Sequence, residues 1–163
     1  YDMMYGSYAW YAINFDADEN KFSNLEQARK SRDLIVQFID EIIALYPIDK
    51  KEVTLIGFSQ GCILSYAVAV SYPEKIQRVV AMSGYFNTEM AVSGFEKNNF
   101  ENLKIFVSHG SVDQVVPVAW ARKAPVILEN LGINVVYKEY PVGHGVAPQN
   151  FFDFRNWLIE TLP

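Results

Sequence analysis

Residues 53–71 read Val53-Thr54-Leu55-Ile56-Gly57-Phe58-Ser59-Gln60-Gly61-Cys62-Ile63-Leu64-Ser65-Tyr66-Ala67-Val68-Ala69-Val70-Ser71. The first five form a short, nearly continuous apolar run, the pattern of a strand buried on both faces. From Gln60 to Ser71 the chain is apolar almost all round and stops before Pro73, which predicts a buried helix. Between the two lie Gly57, Ser59, Gln60 and Gly61, two glycines around a polar pair, and these read as a turn. Val53 to Pro73 is 21 residues without a formal charge, which is membrane-span length. The polar interruption at its centre argues against a transmembrane helix, so the stretch reads strand, tight turn, helix.

The same alternation extends in both directions. Tyr8 to Phe15, rich in aromatic and apolar residues, predicts a strand followed by the polar loop Asp16 to Lys21. Ser23 with Glu26 three residues later fits a capping box. Ala28, Ile35, Ile39, Ile42 and Tyr46 then recur at helical spacing until Pro47. Downstream, Arg78 to Met82, Leu103 to Ser108 and Val135 to Tyr140 predict strands. A helix is expected over Val118 to Leu131, kinked or restarted at Pro125 and ended by Gly132. A last helix runs from Pro148 to Leu162, with Phe151, Leu158 and Leu162 on its inner face. Gly84 to Asn102 has no clear period and is a candidate partial lid. Strands alternating with helices imply right-handed βαβ units and an α/β fold. Its sheet should be mostly parallel and flanked by helices, with ligands beyond the carboxyl ends of the strands.

Composition narrows the function classes. The chain of 163 residues carries 14 basic and 19 acidic side chains, a net charge of −5, and is half apolar, as expected of one globular domain. No basic run exceeds a pair such as Lys50-Lys51, which argues against nucleic acid and anionic membrane surfaces as partners and favours small molecules. One cysteine, Cys62, excludes an intramolecular disulfide and makes the cytoplasm the default compartment. No His, Cys or carboxylate cluster has metal-ligand spacing, so no metal and no cofactor are expected.

Gly57-Phe58-Ser59-Gln60-Gly61 fits G-x-S-x-G in the setting that gives the pattern meaning. A nucleophile there projects from a strained turn, where a side chain at either glycine is expected to collide with neighbouring backbone. The first amides of the following helix point into the same space, which makes the Gln60 N–H an oxyanion donor. A serine needs a base within hydrogen-bond reach. The chain has two histidines, His109 and His144. His144 lies in a Gly-flanked loop after a predicted strand, free to turn over the sheet. His109 ends its own strand beside Gly110 and reads as structural, its ring bonded to local backbone. Asp113, in a loop at a strand's carboxyl end, is the candidate for orienting the imidazole. Its alternative is an Asx-turn or a helix cap. Asp153 and Glu139 are weaker substitutes, one in a helix and the other in a strand. Cys62, inside the apolar helix, reads as buried filler. Trp10, Phe86, Val115 and Val116 are candidate walls for an acyl group, the alternative for each being core.

The set Gly57-Phe58-Ser59-Gln60-Gly61, His109-Gly110 to Asp113 to Val116-Pro117, and Gly143-His144-Gly145 resembles the phospholipase/carboxylesterase family of α/β hydrolases, which includes the acyl-protein thioesterases. Ala9-Trp10-Tyr11 is similar to that family's aromatic segment beside the acyl pocket. The order Ser59, Asp113, His144 is also the order of α/β hydrolases. The resemblance implies hydrolysis of carboxylic esters or thioesters by Ser59, Asp113 and His144 through an acyl-enzyme. Short or medium acyl chains are favoured, and the protein is expected to be a monomer or homodimer. Family members also carry, well before the nucleophile, an early strand and a His-Gly loop that supplies a second oxyanion amide. The sequence from Tyr1 has no counterpart, so the expectation is a single domain over 1–163 lacking its N-terminal strands. Competing readings are a non-catalytic hydrolase-like binding module and a peptidase or lactonase of the same fold.

Overall fold

The computed structural model describes residues 8–13 and 24–163. Its centre is a four-stranded sheet of β1 (Thr54–Phe58), β2 (Arg78–Met82), β3 (Lys104–Gly110) and β4 (Asn134–Tyr140), ordered β1-β2-β3-β4. Every pairing is parallel, and one row runs Gly57, Ala81, Val107, Tyr137 across the sheet. Parallel neighbours need crossovers: α2 (Gln60–Ser71) joins β1 to β2, and α3 (Val118–Ala121) with α4 (Lys123–Asn130) joins β3 to β4, whereas the β2–β3 connection holds no α-helix. Helix α1 (Leu25–Leu45) precedes β1 and α5 (Pro148–Thr161) follows β4.

Period-two alternation along β2 and β3 divides the core. Val79, Ala81, Ile105 and Val107 pack with residues of α1, α2 and α4 on one face. Val80, Met82 and Phe106 meet Phe154 and Trp157 of α5 on the other. The sheet is thus covered on both sides, and α2, with ten buried residues, is its most enclosed helix. Among the described residues β1 pairs only with β2, and its Ile56 is 58% exposed.

Several local expectations change. Tyr8 and Ile13 make only isolated bridges, with a bend at Trp10 and Tyr11, so the described part of Tyr8 to Phe15 is not a strand. Side chains replace a sheet ladder there, as detailed below. Ser23 lies outside the described residues, and the α1 cap is Asn24, whose side chain accepts from the Gln27 amide. The break expected at Pro125 falls three residues earlier, between α3 and α4. A proline lacks the N–H that would bond back to residue 121, and a restart at Lys123 puts it in a first turn, where that donor is not needed. In α5 the inner face is Asn150, Phe154 and Trp157, with Leu158 packed against the core as expected, whereas Phe151 and Leu162 are exposed. Residues 84–102 form two 3₁₀ turns, Thr88–Met90 and Phe95–Lys97, anchored by buried Met90, Phe95 and Phe100. These side chains fix the segment to the core, while Thr88, Glu89, Val92, Ser93 and Gly94 beside them are exposed.

Candidate active site

Ser59 follows β1 directly and precedes α2, with φ 54° and ψ −117°, a conformation costly for a residue with a Cβ. Its amide is held by the Met82 carbonyl of the neighbouring strand at 2.9 Å. The turn is this tight because α2 starts at once. A Cβ on Gly57 would collide with the Gly61 carbonyl and the Ser65 hydroxyl, so position 57 admits only glycine. The same expectation fails at Gly61, where an added Cβ meets no described atom within 4 Å.

The carboxyl ends of three strands deliver three side chains to one place. His144 Nε2 lies 3.0 Å from Ser59 Oγ, and His144 Nδ1 lies 2.7 Å from Asp113 Oδ2. A carboxylate only accepts, so Nδ1 carries the proton and Nε2 offers its lone pair to the serine hydroxyl. The ring is 4.9 Å from that of Phe58, tilted by 52°. Asp113 Oδ1 accepts from the amides of Val115 at 2.8 Å and Val116 at 2.9 Å. Burial alone would raise the Asp113 pKa. The Val116 amide, the His144 ring and the Val115 amide together outweigh it and hold the carboxyl below its ordinary value. The Asx-turn considered for Asp113 and its bond to His144 therefore coexist, one on each oxygen.

The other sequence candidates fall in varied places. The Gln60 amide opens α2, where backbone N–H groups have no partner within the helix. Trp10 and Val115 are exposed, at 49% and 67%, while Val116 is buried. Phe86 sits in the core, its ring 5.5 Å from Tyr66 and edge-on to Phe95, which fits the core alternative. Cys62 is fully buried, and burial pushes its thiol pKa up. Glu139 pairs with Arg122 through two bonds of 2.7 and 2.8 Å, and Asp153 binds Lys138, Tyr140 and Gln149. The carboxylate bonded to His144 is that of Asp113. Among the described residues no group of three His, Cys, Asp or Glu side chains could hold a metal ion, and no helix is long and apolar enough to cross a membrane.

A clamp on residues 10–12 was not visible in the sequence. The Gln60 side chain accepts from the Trp10 amide at 3.0 Å and donates to the Tyr11 carbonyl at 2.9 Å. Ser31 donates to the Trp10 carbonyl, and Gln27 accepts from the Ala12 amide at 2.8 Å. The residue whose amide opens α2 thus also ties the Trp10 segment to the start of that helix. No local pattern marks such a role for a glutamine, because its partners lie about 50 residues away.

Over residues 1–162 the sequence matches the family described as phospholipase/carboxylesterase. An acyl-protein thioesterase 1 of Debaryomyces hansenii is 26% identical over 156 residues, covering 94% of this chain and 67% of that protein. An acyl-protein thioesterase 1 of Emericella nidulans is 28% identical over 138 residues, covering 82% of this chain but 57% of that protein. The crystal structure of esterase PE8 superimposes with a TM-score of 0.81 at 25% identity, covering 95% of this chain and 71% of that one.

Proposed function

The chain belongs to the phospholipase/carboxylesterase family of α/β hydrolases, and from that membership we propose that it hydrolyses carboxylic esters or thioesters through Ser59, His144 and Asp113. The observation that carries this reading is the pair of bonds in series, 3.0 Å from serine to imidazole and 2.7 Å from imidazole to carboxylate. His144 Nε2 takes the Ser59 proton as Oγ attacks the acyl carbon, and Asp113 stabilises the imidazolium that forms. The carbonyl oxygen gains the negative charge and accepts from the Gln60 amide at the positive end of α2. Collapse of this adduct breaks the bond to the alcohol or thiol, which leaves with the proton from His144. Water, deprotonated by His144, then attacks the acyl-enzyme and releases the acid.

Trp10 and Val115 offer exposed apolar surface for a short or medium acyl chain, while Val116 is buried. The same reading puts the enzyme in the cytoplasm, where a lone buried Cys62 stays a thiol. A fluorophosphonate probe together with p-nitrophenyl esters tests the proposal. Wild-type protein should label at Ser59 and turn over the esters, and Ser59→Ala should do neither. Turnover that survives in Ser59→Ala would overturn it.

A further inference from the structure

We propose that His109 is a positioning residue for Asp113, acting on the Ser59–His144 pair through that carboxylate; the inference rests on the hydrolase reading above. His109 is the penultimate residue of β3 and its side chain is fully buried. Its Nε2 lies 2.8 Å from the Val116 carbonyl oxygen, which can only accept, so Nε2 carries the proton and donates. The same nitrogen is 3.4 Å from Asp113 Oδ2, the oxygen that accepts from His144. Two imidazoles thus converge on one carboxylate oxygen, while the Val115 and Val116 amides hold the other.

The consequence is a closed set of restraints. Val116 is gripped at both polar groups, its N–H by Asp113 and its C=O by His109. Residues 113–116 have no helix or strand of their own, so the loop's shape rests on these bonds. For Oδ2 to swing away from His144, Oδ1 must leave two amides and the loop must leave His109. The other ring nitrogen points to the same role. His109 Nδ1 is buried with no hydrogen-bond partner among the described residues, which costs free energy. An apolar ring would fill this space without that cost, so what the imidazole adds is the Nε2 contact to the Asp113 loop.

The test uses the 163-residue chain with His109→Phe and His109→Gln, each alone and combined with Asp113→Asn. His109→Phe should lower kcat by roughly 10- to 100-fold with KM little changed, the scale of a small misplacement of a reacting group. His109→Gln, which can still donate to the Val116 carbonyl, should recover most of the loss. In the Asp113→Asn background His109→Phe should cost nothing further, because both changes act on one bond. An equal loss in both backgrounds, or glutamine no better than phenylalanine, overturns the proposal. The downfield proton signal of the His144 Nδ1–H on Asp113 gives a second readout independent of turnover. It should persist in His109→Gln and move or vanish in His109→Phe, with circular dichroism unchanged. If wild-type protein fails to label with fluorophosphonate, the hydrolase reading falls, and an unmoved signal in His109→Phe still overturns the positioning role. Should His109→Phe not fold, His109→Met carries the same comparison.

Discussion

The carbonyl oxygen of Gly143 stands where a side chain on Gly110 would have to go. Gly110 ends β3 and Gly143 precedes His144, so this approach joins the loop carrying Asp113 to the loop carrying the imidazole. Ser111 and Val112 extend the seam, donating to the carbonyls of Tyr140 at 2.7 Å and Val142 at 3.3 Å. Gly110→Ala should therefore separate the two loops. We expect kcat on p-nitrophenyl esters to fall by about 100-fold, with a stability loss of about 1–3 kcal/mol in urea titration.

Asp113→Asn keeps the shape but removes the acceptor that fixes the His144 tautomer. Turnover should fall by about 10⁴-fold, the scale seen when the equivalent group of another triad is neutralised. Steady-state kinetics on the folded variant, with labelling of Ser59 followed in parallel, checks this.

The same carboxylate makes stability depend on pH in a defined direction. Its folded pKa lies below the ordinary 3.8, so its contribution is fully present above about pH 4. That contribution is lost as pH falls through the folded value. The stability gap between wild-type protein and Asp113→Asn should accordingly be full at neutral pH and close as pH falls through the folded value, measured by urea unfolding across the acid range.

Gln60→Leu leaves the backbone amide in place and removes both bonds to the Trp10 segment. The Trp10 N–H and Tyr11 carbonyl each lose their bond to the Gln60 side chain, which should cost about 0.5–1.5 kcal/mol. If Trp10 walls the acyl site, KM should rise with acyl-chain length while kcat on the shortest ester changes less. A p-nitrophenyl ester series from acetate to octanoate separates these effects.

Arg78, 1% exposed at the start of β2, meets Glu52 at 2.6 Å and the Thr161 carbonyl at 2.9 Å. It ties the sheet to the end of α5. Glu52→Gln leaves the guanidinium without its counter-charge and should destabilise the fold by about 1–3 kcal/mol, toward the lower end because Glu52 keeps some solvent contact. Thermal unfolding at neutral pH measures it, and esterase activity at 25 °C should be retained.

Local sequence was sufficient wherever local physics decides the outcome. Val53 to Ser71 specified a strand, a glycine-bounded turn and a buried helix, because backbone sterics and burial act over a few residues. The alternation of apolar runs and helical periods further specified a parallel sheet covered on both faces. Candidates Ser59, Asp113 and His144 could be named from the loops that follow predicted strands.

What the residues make together was decided elsewhere. The aromatic run at Tyr8 suggested a strand, yet its backbone groups are taken by Gln60, Ser31 and Gln27, partners that no local pattern announces. Phe86 and Val115 were equally plausible walls until packing put one in the core and the other in solvent. His109 looked merely local, and only the fold brings its Nε2 toward the Asp113 oxygen that also accepts from His144. The sequence by itself determined the four strands of the sheet, α1, α2 and α5, and where reactive groups are carried, through short-range sterics and hydrophobic periodicity. Only the tertiary structure decided which of those groups share a hydrogen bond, because distances of 2.7 to 3.0 Å between residues 31 and 85 positions apart are fixed by packing across the sheet.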